Sequence, residues 1–394
     1  MIELIIFVLT YIFIAVQKVN LRLDRASIAL IGATAMIVCG VLTLDEAVRS
    51  VDYDTIILLF GMMVISAYLG RSGFFDFIAS KIILRAKSGR RLLLIIVLTS
   101  GFLSALLVND VVCIFMTPIV VRIAVLSELN PIPLLLALST SANIGSCATI
   151  VGNPQNMLIA MRLKISFVEF IRVLAPISVI SLMFCYLLLY LIFRSDISKF
   201  KPKSFEFSVD RDLMIKMLVT LGVTVALFII EIYPIPVSAL IGATLAFILG
   251  GKRPKEILKN LDWNLLIFFA GLFVVVAGFE KGGWPSYIQN LSVKTLKDFM
   301  IFSGVTAIFS NLISNVPFVM VALPAVKTKK LAYLLAMAST FAGNLTLIGS
   351  VANVIVAETA DSLGVKISFV DYLKIGIPLT TITILIGTIM IFYA

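Results

Sequence analysis

Residues 141–156 read SANIGSCATIVGNPQN, and residues 340–353 read TFAGNLTLIGSVAN. Each is a polar, glycine-interrupted segment within a long apolar run. Both set Thr, Gly and Asn at one spacing: Thr149, Gly152 and Asn156 in the first, Thr346, Gly349 and Asn353 in the second. Lipid cannot satisfy the backbone of an interrupted helix, so such a segment must be buried in protein or line a wet cavity. Two of them at corresponding places in two halves form the sequence pattern of a solute site at the bilayer midplane.

Further matches extend outward in the same order. ALIGAT occurs at 29–34 and again at 239–244, and KISFVEFIRVLAP at 164–176 recurs as KISFVDYLKIGIP at 366–378. Asp52, Gly61 and Gly73 match Asp262, Gly271 and Gly283 at a constant offset of 210. A duplication is the economical explanation. It divides the chain into a first repeat (1–194), a charged cytoplasmic linker (195–211) and a second repeat (212–394).

Of the 394 residues, 60% are hydrophobic and only 14% charged, against roughly 25% charged in a soluble domain. Mean hydropathy is +1.11. The chain therefore reads as an all-α polytopic membrane protein. Its net charge of +10 is not a nucleic-acid signal, because the basic residues cluster in short loops between apolar runs. There is no His, which removes imidazole relays, HExxH zinc sites and Ser-His-Asp triads; no P-loop sequence occurs either. Cys39, Cys113, Cys147 and Cys185 lie in apolar segments without CxxC spacing and read as small buried residues, with a soft-ligand role as the alternative for Cys113 and Cys147 beside the polar motifs. The chain is not expected to be an enzyme. An intramembrane aspartyl protease would need two facing aspartates, and only Asp110 is placed for that.

The runs at 92–126 and 299–325 are too long for one crossing, which takes ~20 residues, and too short for two. Each has a polar break, at Val108-Asn109-Asp110 and Ser314-Asn315-Val316, and each reads as a re-entrant hairpin. Every half then holds five transmembrane helices, a re-entrant hairpin and a broken helix. Because five is odd, the repeats are inverted. The most basic loops (18–25, 71–91, 194–211 and 251–261) place the N- and C-termini outside the plasma membrane. Lys327, Lys329 and Lys330 are the exception. Residues 73–86 read as an amphipathic helix on the inner surface. Trp263 and Trp284 fit an interfacial belt, and Arg122, Arg162 and Glu358 are expected near the interface.

In the first broken helix, Asn153-Pro154 has the form of a restart, with Asn as N-cap and Pro at the first helical position. Ser350 is the counterpart in the second. New helix N-termini attract anions, and the carbonyl ends before each break suit Na⁺. The expected binding residues are Asn109, Asp110, Asn143, Ser146, Thr149, Gly152, Asn153 and Asn156 in the first repeat. Those in the second are Ser314, Asn315, Asn344, Thr346, Gly349, Ser350 and Asn353. An alternative duty for the polar side chains is to bond helix to helix. Asp110 is an acidic residue near the middle of an apolar run, where a charge costs ~2.5–3.5 kcal/mol on insertion scales. It is the candidate proton carrier, or else a cap for the second leg of its hairpin.

SALLVNDVVCIFMTPIV (104–120), SANIGSCATIVGNPQN (141–156) and SNLISNVPFVMVALP (310–324) together resemble the ion transporter superfamily, which includes arsenite permeases, D-type sodium/proton antiporters and citrate and divalent-anion symporters. The resemblance covers nearly the whole chain. The VND…TPIV and NIGSxAT…GNPQN stretches look closest to the arsenite-permease and anion-permease branch. The resemblance implies a homodimer with a dimerising scaffold and an elevator-like transport domain built from the hairpins and broken helices. It also implies Na⁺ near Asn109 and Asn315. On this basis the expected function is secondary active transport of a small inorganic anion or arsenite-like solute, coupled to Na⁺ or H⁺, with no other cofactor. The alternatives are a sodium/proton antiporter and a sodium-coupled carboxylate symporter.

Overall fold

The computed structural model describes residues 1–15, 23–198, 200, 208–251, 254–283 and 293–394. The first half runs α1 (Ile2–Ala15), α2 (Arg25–Val38), α3 (Leu44–Ser50), α4 (Tyr53–Arg71), α5 (Phe74–Arg85), α6 (Gly89–Leu106), α7 (Asn109–Leu126), α8 (Ile132–Ser146), α9 (Pro154–Leu163) and α10 (Phe167–Phe193). The second runs α11 (Arg211–Ile230), α12 (Ile235–Leu249), α13 (Pro254–Leu258), α14 (Trp263–Lys281), α15 (Leu296–Ile313), α16 (Asn315–Ala322), α17 (Lys329–Ala342), α18 (Val351–Ser362) and α19 (Phe369–Tyr393). The described residues contain no strand, and eight of their helices are long and apolar enough to cross a membrane. The chain is a multi-pass membrane protein. The amphipathic segment expected at 73–86 is α5. Its second-half counterpart, with Trp284, lies outside the described residues, as do Lys18, Arg22, Lys252, Arg253 and much of the linker.

The halves repeat one order of elements and exchange contacts. α2 packs on α14 and α4 packs on α12, and the matched residues explain why. A Cβ on Gly61 would fall 2.7 Å from the Ala239 carbonyl oxygen, and one on Gly271 would fall 2.8 Å from the Ala29 carbonyl carbon. Each ALIGAT helix therefore lies against the glycine of the other half. Small residues allow such approach where lipid gives no hydrophobic drive for helices to associate. Asp52 and Asp262 cap α4 and α14, accepting from Thr55 N and Leu265 N, each at 3.1 Å. Gly73 and Gly283 then turn the chain at matching φ of 77° and 76°, which L side chains adopt only with strain.

The polar breaks sit within a second group of helices. α8 lies against α6 and α7, α17 against α15, and α10 against α19. Nearly every residue of α8 and α17 is buried. These two helices run into the interruptions seen in the sequence.

Candidate functional site

Both breaks are held by one device. After α8 the chain passes through an extended Thr149 and a short 3₁₀ turn, Ile150–Gly152, before Asn153 caps α9 by accepting from Asn156 N at 2.9 Å. The Asn156 amide reaches back and donates to the carbonyls of Ser146 (3.1 Å) and Thr149 (2.9 Å). In the second break the Asn353 amide donates to the carbonyls of Gly343 (2.7 Å) and Thr346 (3.2 Å). Asn156 and Asn353 thus satisfy the carbonyls that an interrupted helix leaves bare. Their amide protons are committed to the backbone, and the carbonyls expected to await a cation already accept a hydrogen bond. Gly152 and Gly349 serve close approach. A Cβ would lie 2.2 Å from the Ser146 carbonyl oxygen at Gly152 and 2.4 Å from Asn311 Oδ1 at Gly349.

Asn143 joins the two halves. Its Nδ2 donates to Asn344 Oδ1 (2.9 Å) and Asn353 Oδ1 (3.0 Å), and its Oδ1 accepts from Asn109 Nδ2 (3.2 Å) and Ser350 Oγ (3.0 Å). Ser350 occupies the N-cap position of α18, but its hydroxyl donates to Asn143 and makes no cap bond. The Ser350 cap expected from the sequence is therefore corrected: the hydroxyl is turned toward Asn143 across the interface and accepts no N–H of its own helix. The residue at the place of Asn143 in the second repeat is Thr340. Its hydroxyl accepts from Asn153 Nδ2 (3.2 Å) and Gln155 Nε2 (3.3 Å) and donates to Asn156 Oδ1 (3.5 Å). Asn153 also donates to Ser146 Oγ at 3.0 Å.

Sequence reasoning missed Thr340, Gln155 and Asn311. Asn311 donates to the Ala342 carbonyl at 2.7 Å and accepts from Thr346 Oγ1 at 3.0 Å. The offset of 197 that relates Asn156 to Asn353 also relates Asn143 to Thr340, so that signal was present in the repeat.

The hairpin tips approach the cluster unequally. The chain breaks at Leu107–Val108, just before the expected position, so Asn109 is the first helical residue of α7 and joins Asn143. The second break is Ser314 alone, at φ 80° and ψ 153°, a region that is essentially glycine-only. Asn109 Oδ1, Asn315 Oδ1, Ser104 Oγ and Ser310 Oγ are buried with no hydrogen-bond partner among the described residues. These four atoms come from two repeat-related pairs. Each hairpin therefore offers the same unused oxygens, a hard-donor set that suits a small cation. No group of three His, Cys, Asp or Glu is gathered among the described residues.

Asp110 caps nothing: the N-cap of α7 is Val108. Its carboxylate lines a cavity of about 490 Å³ with Met63, Arg71, Asn260 and Asp262. A second cavity of about 470 Å³, lined by Arg25, Asp262, Asn264, Val351 and Glu358, shares Asp262 and Leu265 with the first. Glu358 thus faces the start of α18 and Arg25. Together the two cavities border the hairpin tip and the start of α18.

Interrupted helices bonded to each other at the centre of an apolar helical protein define a membrane transporter. The citrate transporter family model, CitMHS, matches residues 11–331, and the chain belongs to that family of secondary transporters. It is 30% identical to a transporter named arsB from Dictyostelium discoideum, over 97% of this chain and 90% of the relative. It is 29% identical to the silicon efflux transporter LSI3 of Oryza sativa subsp. japonica, over 93% and 92% of the two chains. In fold it resembles the YdaH transporter of Alcanivorax borkumensis, with a TM-score of 0.58 at 13% identity, covering 94% of this chain and 96% of that one.

Proposed function

We propose that this protein carries a small, hydroxyl-bearing inorganic solute of the arsenite type across the plasma membrane, coupled to an ion. The observation that carries this reading is the Asn143 cluster, in which Asn109, Asn143, Ser350, Asn344 and Asn353 meet with no charged side chain among them. Amides and hydroxyls that both donate and accept match a neutral oxoacid, whereas a tricarboxylate would leave buried charge without a counterion. The names of the arsB and silicon efflux relatives point to solutes of that chemistry.

Transport would proceed with the hairpins and broken helices moving as a unit against α2, α4, α12 and α14, in a homodimer of inverted repeats. Ion pairs across the structure support that topology. Glu46–Lys281 and Glu169–Lys329, each at 2.7 Å, join elements that the charge pattern puts outside, and Arg71–Glu256 at 2.6 Å joins two that it puts inside. The pair with Glu169 also gives Lys329, one of the three outside lysines, a carboxylate. Asp110, open to its cavity, is the proposed proton carrier. The unused oxygens at Asn109 and Asn315 favour Na⁺ as the second reading.

The test is flux into proteoliposomes of arsenite, silicic acid and citrate, each with a proton or a sodium gradient. Arsenite or silicic acid uptake driven by ΔpH, and lost in Asp110→Asn while downhill exchange persists, is the expected outcome. Citrate flux without arsenite flux would overturn the solute assignment. Dependence on Na⁺ alone would move coupling to the hairpin oxygens.

A further inference from the structure

A third cavity, of about 470 Å³, lies away from the polar cluster, between α5, α6 and α11. Its walls are apolar apart from Thr99 and two basic side chains, Lys81 and Arg85. These stand four residues apart on α5, so their heads share one edge of that helix. Both are exposed, and neither meets a carboxylate among the described residues. Lys81 instead lies over the Phe77 ring at 5.1 Å. Among the described residues no carboxylate lines the groove.

From that edge the apolar floor follows α6 through Ile95, Leu98, Phe102 and Leu106 to Leu107 at the hairpin tip. Twelve residues of helix rise ~18 Å, about half the hydrocarbon thickness of a bilayer, ~15 Å. Phe102 (63%) and Leu98 (40%) are exposed along it, so the groove opens sideways to lipid. A free anion would leave this floor bare, and a neutral lipid would leave both cations unpartnered.

We infer that an anionic phospholipid occupies this groove, with its headgroup on Lys81 and Arg85 and an acyl chain laid along α6 to the tip of the first hairpin. The inference is independent of the transported solute. The lipid would sit between the hairpin that carries Asn109 and α11, and so bears on any movement of one against the other.

The experiment uses full-length protein in phosphatidylcholine vesicles containing phosphatidylglycerol with a photoreactive acyl chain, with native mass spectrometry of the extracted protein. Phosphatidylglycerol should be retained in preference to phosphatidylcholine, and the label should map to residues 95–107 and 218–221. A double reversal, Lys81→Glu with Arg85→Glu, should lower that retention at least about tenfold, since each basic residue contributes appreciably to anionic-lipid binding. Lys374→Glu, at a lysine paired with Asp371, should leave it unchanged. Thr99→Trp fills the groove without touching the charges and should abolish the label at 95–107, so the question stays decidable should the double variant fold poorly. Equal retention of the two lipids, label spread evenly over the apolar surface, or unchanged labelling in Thr99→Trp would overturn the inference.

Discussion

Replacing Asn143 by Leu should separate a bonded hub from a merely polar neighbourhood. The substitution keeps approximate volume and removes four hydrogen bonds, leaving Asn109 Nδ2, Ser350 Oγ, Asn344 Oδ1 and Asn353 Oδ1 without the partner they have at 2.9–3.2 Å. A buried polar group that loses its partner costs ~1–3 kcal/mol in soluble proteins. Side-chain bonds between membrane helices average only ~0.6 kcal/mol, because the unfolded chain in the membrane finds other partners. Four bonds at the lower figure give about 2–3 kcal/mol. Thr340→Val, at the equivalent place, removes one hydroxyl whose contacts are longer, 3.2–3.5 Å, and Asn153 keeps Ser146 Oγ; it should cost about 1 kcal/mol or less. Equilibrium unfolding in mixed micelles measures both. Asn143→Leu should destabilise at least twofold more than Thr340→Val and abolish solute flux. An Asn143→Leu protein within about 0.5 kcal/mol of wild type, or equal costs at the two positions, would refute the hub.

Asn156→Ala and Asn353→Ala should lower stability by similar amounts, about 1–2 kcal/mol each, since each frees two break carbonyls; a thermal-melt series checks the equality. Ser314→Gly should raise stability by about 0.5–2 kcal/mol, because the φ of 80° costs Ser ~1–3 kcal/mol and Gly little, less the extra chain entropy of Gly; an unchanged or lower melting point would remove the strain. Gly61→Val and Gly271→Val should each prevent their crossing from forming and sharply reduce folded yield in the membrane, whereas Gly222→Val, with nothing within 4 Å of its Cβ, should be tolerated.

Much of the site was legible because the duplicated segments announce themselves by contrast: Asn, Ser and Thr at fixed spacing have no reason to recur inside apolar runs unless the backbone there needs them. Asn153-Pro154 was readable as a helix restart for the same local reason, and it is one. Ser350 was not. Whether its hydroxyl caps α18 or reaches Asn143 depends on which helix lies opposite, and sequence spacing does not carry that. Asn156 and Asn353 were read as residues of a solute site; the structure adds that their amide protons hold the breaks closed. The local sequence shows that an amide is needed there without showing where its protons go.

The amino-acid sequence alone determined an all-helical membrane chain with interrupted helices at two matching stretches, because hydropathy, prolines, glycines and residue spacing are local properties that lipid reads directly. The tertiary structure decided which half supplies each partner: Gly61 to Ala239, Gly271 to Ala29, Asn143 to Asn344 and Asn353. It also left Asp110 facing a cavity when the matched Val316 faces none of the charges gathered there. Those outcomes are non-local. They depend on the relative placement of helices some two hundred residues apart, and only close packing selects one among the arrangements the same pattern of apolar and polar residues would allow.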